Sequence, residues 1–295
     1  MTTMRTFRDA DPTALADSEK VLANLDLAVP GVNRTFDVHD PATGQTIAQV
    51  PDCDVRQALD AVARADEAGR SWAATTTRHR ADILRTWYDL ILSNAEMIAL
   101  LITREMGKPL PEARGEVTYG ADFVRWYAEE AVRPAGNLRD APTGGARLFT
   151  RRAPVGLSVL ITPWNFPLAI ATRKIAPALA AGCPAVIKPA PNTPLTTLFA
   201  VQLAIAAGVP EDLVQVVTTT DAPAFSTAVL ADARVRKVSF TGSTGVGKAL
   251  LRLAADNVLH LPSYCGDRDR RDSWGSWHPG SASTTPSSVR GRCGS

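Results

Sequence analysis

The sequence predicts an α/β fold in which a parallel sheet follows a helical N-terminal region. Residues 157–259 alternate short apolar runs with helical stretches, which is the pattern of successive βαβ units. Residues 54–132 carry apolar side chains at helical spacing. Residues 35–50 alternate apolar and polar side chains around an Asp-Pro and a Thr-Gly pair, as a hairpin of two short strands does.

The individual elements follow from these periodicities and from capping residues. Asp54 predicts the start of the first helix, and further helices are predicted through 83–98 and 117–132. A Pro- and Gly-rich loop is predicted at 134–147, followed by a strand pair within 148–161. In the second half, strands are predicted at 157–162, 185–188, 214–217 and 237–240, and helices at 167–181, 194–207, 222–230 and 243–258. Ligands of parallel sheets bind at the carboxyl ends of the strands, so the residues there are the candidate site.

Length and composition exclude several classes of protein. The 295 residues allow about two domains of roughly 150 residues. The 32 basic and 30 acidic residues give a net charge of +2. This balance argues against a nucleic-acid binder, which needs a surface with an excess of positive charge. No apolar run reaches the roughly 18 residues of a membrane span, and residues 1–30 lack a signal-peptide pattern. Four cysteines without a CxxC pair predict neither a disulfide framework nor a metal site, so we expect a soluble, cytoplasmic protein.

The last 36 residues, 260–295, differ from the rest of the chain. Among them only Leu261 and Val289 are Leu, Ile, Val, Met or Phe, whereas Gly, Ser and Pro supply 16 residues. Such a segment buries too little apolar area to offset its conformational entropy. We therefore expect this tail, and residues 1–20, to be disordered.

Residues 240–247, FTGSTGVG, end a predicted strand and begin a helix. Gly242 is expected to permit a tight turn, and Ser243 to cap the helix. Helix N-termini of this kind bind pyrophosphate groups. The spacing is neither G-x-G-x-x-G nor that of a P-loop, so phosphate binding and a purely structural turn both remain open.

Two other strand ends carry polar residues. Asn165 lies between two prolines, where its amide can donate to an oxyanion or can form an Asx-turn. Lys188 follows the next strand and can bind ribose hydroxyls or phosphate, or can be a solvated lysine. Arg173, in the helix after Asn165, can pair with a carboxylate substrate or form a surface salt bridge.

Together these loops resemble the aldehyde dehydrogenase superfamily, through PWNFP, AAGCPAVIKP and KVSFTGSTGVG in this order. Residues 103–131 and 172–183 resemble the succinate-semialdehyde dehydrogenase branch. The resemblance covers residues 25–259. It implies a cofactor-binding domain, a catalytic domain and a small oligomerisation element. We expect this chain to contain a partial, Rossmann-like cofactor-binding domain at 21–259, with part of the oligomerisation element near 134–155, and to lack the catalytic domain. The resemblance also implies a homo-oligomer that oxidises a small aldehyde, succinate semialdehyde, to the acid with NAD or NADP.

The resemblance also assigns roles to individual residues. Asn165 is similar to the family's oxyanion-hole asparagine, and Arg173 to the arginine that holds the substrate carboxylate. The remaining positions are similar to cofactor contacts: Trp164, Lys188, Ala190, Pro191, Gly242, Ser243 and Gly247. Pro191 stands where NAD-preferring members often carry a glutamate. Because no carboxylate there repels a 2′-phosphate, NADP is favoured over NAD.

The family's nucleophile and general base are missing from the sequence. The Glu-Leu-Gly-Gly and Gly-Gln-x-Cys motifs are absent, and no glutamate follows Glu211. We expect Cys183 to be a packed core thiol and Cys53 to precede a helix at the edge of the fold. Three hypotheses remain: an enzyme whose recorded sequence is frameshifted near Leu259, a truncated non-catalytic chain that keeps part of the cofactor-binding scaffold, and a tail that is a functional disordered segment.

Overall fold

A five-stranded parallel sheet forms the centre of the computed structural model, which describes residues 32–257 and the strand at 263–265. Its strands are β5 (Leu157–Ile161), β6 (Ala185–Lys188), β7 (Val214–Val216), β8 (Val235–Gly242) and β9 (Ser263–Cys265). They lie side by side in the order β7-β6-β5-β8-β9. The predicted parallel sheet is therefore confirmed.

Eight α-helices in the described part of the chain surround this sheet. Four precede it: α1 (Val55–Ala74), α2 (Thr77–Ser93), α3 (Ala95–Met106) and α4 (Leu110–Glu130). Four connect its strands: α5 (Ala169–Ala180), α6 (Leu195–Ala206), α7 (Ala222–Ala231) and α8 (Thr244–Asp256), with a short 3-10 turn at Glu211–Leu213. No described helix is long and apolar enough to cross a bilayer.

The two faces of the sheet bury separate apolar clusters. Leu160 and Ile187 point towards α5 and α6, whose apolar residues merge with those of α2–α4 into the larger cluster. Val159, Val186 and Val238 point to the other face, which α1, α7 and α8 cover. This arrangement follows from the period of two along each strand, and it buries both faces, as parallel sheets require.

The N-terminal helices attach to the sheet helices through buried indoles. Trp72 Nε1 donates to the carbonyl of Leu179 at 3.0 Å, and Trp87 Nε1 donates to the carbonyl of Ala200 at 2.9 Å. Both tryptophans are fully buried. The Trp72 indole thus forms a hydrogen bond at the end of α5, and the Trp87 indole forms one in the middle of α6. Together with the apolar packing, these bonds fix how α1 and α2 dock on the helices of the sheet.

Capping residues decide where the first helices begin and end. Asp54 and Gln57 form a reciprocal capping box at the start of α1, as the sequence predicts for Asp54. The predicted helix at 83–98 is wrong as a continuous element, because Asn94 ends α2 and begins α3. Its side-chain amide donates to the carbonyl of Leu90 at 2.8 Å, and this local bond competes with helix continuation.

Two antiparallel hairpins lie outside the main sheet. β1 (Thr35–His39) pairs with β2 (Thr46–Pro51), as predicted. β3 (Asn137–Asp140) pairs with β4 (Arg147–Thr150), so part of the predicted loop at 134–147 is a strand. All eight residues of β3 and β4 are exposed. β4 overlaps the strand pair predicted within 148–161, whereas the sequence of β3, NLRD, lacks the apolar alternation by which strands are recognised.

The predicted disordered segments fall mostly outside the described residues. This holds for residues 1–20 and for nearly all of 260–295. Within the latter segment, Ser263–Cys265 forms β9, which pairs in parallel with the end of β8.

Candidate functional site

The three polar loops of the sequence meet at one edge of the sheet. Ile161, the last residue of β5, lies opposite Lys188 of β6 on one side and opposite Phe240 of β8 on the other. The chain proceeds from β5 to β6 and β7 in one direction, and then returns to place β8 on the far side of β5. The carboxyl ends of β5 and β8 therefore flank a topological switch point, where open α/β sheets bind their ligands.

The loop after β5 is held through four consecutive backbone carbonyls. The carbonyl of Trp164 accepts from Thr193 Oγ1 at 3.3 Å, and the carbonyl of Asn165 accepts from Lys108 Nζ at 3.1 Å. The next two carbonyls, of Phe166 and Pro167, accept from the Ile170 amide at 3.1 Å and from Thr197 Oγ1 at 3.2 Å. Each residue of 164–167 thus has a fixed backbone.

The side chains of this loop lie at the surface. Trp164 is 54% exposed and Phe166 is 40% exposed, and Asn165 is exposed between them. The side-chain amide of Asn165 makes no hydrogen bond within the described residues, so it forms no Asx-turn there. An exposed amide on a fixed backbone is suited to donate to a bound group.

A buried ion pair under this loop was not anticipated from the sequence. Lys108 Nζ contacts Glu116 Oε2, and both side chains are less than a tenth exposed. Glu116 Oε1 accepts from the amides of Leu168 and Ala169, at 3.0 and 3.2 Å, and so caps the start of α5. Because Glu116 is 52 residues from Leu168, no local sequence pattern indicates this cap.

Lys188 lies deeper than a solvated strand-end lysine. It is 4% exposed, and its Nζ atom donates to the carbonyl of Pro189 at 3.3 Å. Burial lowers the pKa of Lys188 to about 8. Ala190 and Pro191 follow in a half-buried loop, which turns through a hydrogen bond from the Thr193 amide to the Ala190 carbonyl. A buried amine beside a half-open loop is suited to bind hydroxyl or phosphate oxygens.

The end of β8 supplies the helix N-terminus that the sequence predicts. Ser243 is the N-cap of α8, and its Oγ atom accepts from the Val246 amide at 3.5 Å. Gly247 is buried within the first turns of α8. The first-turn amides of a helix and its dipole favour an anion at this position.

Gly242 is required for a different reason from the one expected. It does not belong to the glycines with a positive φ, so no tight left-handed turn depends on it. Instead, a Cβ atom at this position would lie 2.5 Å from Cζ of Phe240. Beside it, Thr241 Oγ1 is buried without a hydrogen-bond partner in the described part of the chain, which leaves it able to bind a ligand.

Arg173 lies in the second turn of α5, eight residues after Asn165. Its guanidinium carbon is 5.8 Å from the centre of the Phe123 ring, which itself packs edge-on against Tyr119 at 4.8 Å. Arginine over an aromatic face is stabilised electrostatically. Phe123 is a residue of the site region that sequence reasoning missed.

Cys53 and Cys183 are both buried. Cys183 is 2% exposed, in agreement with a packed core thiol. Cys53 is 5% exposed, belongs to the cluster under α1 and lies two residues before the start of that helix. Burial raises the pKa of the Cys53 thiol, which disfavours the thiolate.

The chain is similar to known proteins in sequence and in fold. Residues 29–266 match the model of the aldehyde dehydrogenase family. The Arabidopsis thaliana protein named succinate-semialdehyde dehydrogenase, mitochondrial, is 48% identical over 234 residues, which cover 79% of this chain and 44% of the relative. The chain spans about half the length of the curated relatives that it matches.

Solved crystal structures include proteins whose fold is similar to that of this chain. Succinate-semialdehyde dehydrogenase from Burkholderia pseudomallei has a TM-score of 0.76 and 44% identity, covering 78% of this chain and 47% of its own. Betaine aldehyde dehydrogenase from Staphylococcus aureus, in complex with NAD+, has a TM-score of 0.82 and 29% identity, covering 86% of this chain and 52% of its own.

Proposed function

Because this chain belongs to the aldehyde dehydrogenase family, we propose that it carries the cofactor-binding part of an NAD(P)-dependent oxidation of succinate semialdehyde to succinate. The observation that carries the proposal is the meeting of Asn165, Lys188 and the start of α8 at the switch point between β5 and β8. Both similar structures named above support it, one as a succinate-semialdehyde dehydrogenase and the other by its NAD+ complex.

The residues at this edge fit a dinucleotide. The N-terminus of α8 and the Ser243 hydroxyl suit a pyrophosphate. The Thr241 hydroxyl, which has no hydrogen-bond partner among the described residues, lies one residue before Gly242. The buried amine of Lys188 suits ribose hydroxyls. Pro191 presents no charge to a 2′-phosphate, so we favour NADP. When bound, the nicotinamide supplies the acceptor for the hydride of the aldehyde.

Asn165 and Arg173 act on the substrate in this proposal. The oxidation requires a nucleophile to add to the aldehyde carbon, and the Asn165 amide would donate a hydrogen bond to the aldehyde oxygen as that addition gives it negative charge, which stabilises the transition state. The Arg173 guanidinium pairs with the distal carboxylate, which distinguishes a semialdehyde of a dicarboxylic acid from a neutral aldehyde. Phe123 supports the guanidinium from behind.

A second candidate function is a scaffold that binds the cofactor without oxidising aldehydes. Two observations favour it for the chain as recorded. The sequence contains neither the Glu-Leu-Gly-Gly nor the Gly-Gln-x-Cys motif. In the described part of the chain, Cys53 and Cys183 are buried, which is unfavourable for a nucleophilic thiolate at either position.

One set of assays separates the two candidates. NADPH and NADH are titrated into the purified 295-residue chain, and energy transfer from tryptophan to the bound nucleotide is measured. Both candidates require binding that Lys188→Met weakens and that Arg78→Met, on the exposed start of α2, leaves unchanged. Nucleotide reduction that depends on succinate semialdehyde identifies the enzyme, and binding without reduction identifies the scaffold. Absence of any binding contradicts both.

A further inference from the structure

The ion pair of Lys108 and Glu116 connects α3, α4 and α5 to the Asn165 loop. We propose that Lys108 and Glu116 are positioning residues, which hold the backbone of Asn165 so that its exposed side-chain amide keeps one orientation. The inference rests on the proposed function, because the orientation of this amide matters only if it donates to the aldehyde oxygen.

The contacts of the pair converge on both sides of Asn165. Lys108, in the link between α3 and α4, donates to the Asn165 carbonyl, and its Nζ atom lies 3.9 Å from the centre of the Phe166 ring. Glu116 accepts from Leu168 and Ala169, the residues with which α5 starts. The loop is thereby clamped between a cation that holds a carbonyl and a carboxylate that holds the following helix.

Stability alone does not account for a charged pair at this place. Burying two charges is costly, and well-packed apolar residues often replace such pairs without loss of stability. The neighbouring carbonyls of Trp164 and Pro167 are held by neutral threonine hydroxyls. The charged donor is placed at Asn165, whose exposed side-chain amide is the proposed donor to the oxyanion. Charge-assisted hydrogen bonds are the stronger kind, and they hold geometry more tightly.

The sequence permits a direct measurement on this carbonyl. The chain has seven asparagines, and Asn165 is the single one followed by phenylalanine. A sample with ¹³C-carbonyl asparagine and ¹⁵N-phenylalanine therefore gives one cross-peak in an HNCO spectrum, which joins the Asn165 carbonyl to the Phe166 amide. The order parameter of that amide reports the rigidity of the loop in the full chain.

The informative variant is Lys108→Met combined with Glu116→Gln. The glutamine keeps an oxygen that can accept from the two α5 amides, and the double variant leaves no unpaired charge in the interior. We therefore expect its melting temperature to be closer to that of the original chain than the melting temperature of Lys108→Met is. We expect the Phe166 order parameter to fall from about 0.85 to below about 0.6 in the double variant. We expect Lys108→Arg, which keeps a charged donor, to retain the higher value.

A matched control removes a neighbouring clamp. Thr197→Val takes the donor from the Pro167 carbonyl and leaves Lys108 in place, so the Phe166 order parameter should stay high. A rigid Phe166 amide in the folded double variant would overturn the proposal, because the pair would then be merely structural. Failure of NADPH binding would overturn the proposed function, and it is measured separately from loop order.

Discussion

The Nζ atom of Lys174 lies 2.7 Å from the Oγ atom of Ser239, and this hydrogen bond joins α5 to β8. Lys174 is 7% exposed, and burial lowers its pKa to about 7, with smaller contributions from the charges of Arg173 and Lys237. The ammonium form is therefore disfavoured in the folded chain, and a neutral hydroxyl is its partner.

Lys174→Met should raise the melting temperature at pH 7. Between about pH 7 and about pH 10.4 the unfolded chain binds the lysine proton and the folded chain does not, so the original chain gains stability as the pH rises through this window. The advantage of the variant should therefore be largest near pH 7 and shrink towards pH 10. Thermal unfolding at a series of pH values measures it. Ser239→Ala removes the hydrogen bond and leaves the charge, so it should show no such gain.

Glu105 predicts the opposite pH dependence. Its carboxylate caps α6 by accepting from the amides of Leu195 and Thr196, at 2.7 and 3.0 Å, yet burial raises its pKa to about 7. From about pH 4.3 to about pH 7 the folded chain holds a proton that the unfolded chain has lost, so this group lowers stability as the pH rises.

Glu105→Gln keeps an acceptor oxygen and cannot ionise. Relative to the original chain, its melting temperature should rise between about pH 4.3 and pH 7 and level off above. Glu105→Ala, which removes the cap, should melt lower at every pH. A flat difference between glutamate and glutamine across this window would show that the carboxyl does not titrate as inferred.

Gly242→Ala should destabilise the chain by about 1–3 kcal/mol, because its Cβ atom overlaps the Phe240 ring. Gly245→Ala is the matched control, since nothing lies within 4 Å of a Cβ atom there and α8 gains up to about 1 kcal/mol of helix propensity. Denaturant unfolding of the two variants should therefore give changes of opposite sign. Equal destabilisation would mean that the turn needs both glycines for another reason.

Pro191→Glu should shift the nucleotide preference from NADPH towards NADH. The added carboxylate repels a 2′-phosphate, and a tenfold change in the ratio of dissociation constants corresponds to about 1.4 kcal/mol. Ala206→Glu, at the exposed end of α6, should leave the ratio unchanged. An unchanged ratio in Pro191→Glu would place the 2′-position of the nucleotide away from this loop.

The sequence predicts the parallel sheet and its candidate edge because both depend on local patterns. Apolar runs mark β5, β6 and β8. Polar residues at or after the carboxyl ends of these strands, such as Asn165 and Lys188, are therefore expected at one edge of a parallel sheet. Residues that contact partners far away along the chain leave no local sequence pattern. Glu105 caps a helix 90 residues away along the chain, and Glu116 caps a helix 52 residues away. Because glutamates are mostly exposed in proteins, the sequence offers no reason to expect either of them to be a buried cap.

The neighbours of β5 impose an order on the folding of this chain. β5 begins at Leu157, whereas its partner β8 begins at Val235, so the pairing closes a loop of nearly 80 residues. During synthesis β5 can pair with β6 soon after it emerges, but its other side keeps open backbone donors and acceptors until residue 242 has been made. Such non-local pairing is slow, and an unpaired strand edge invites association with other chains. Nascent chains that stall between β7 and β8 should therefore be the form most in need of a chaperone.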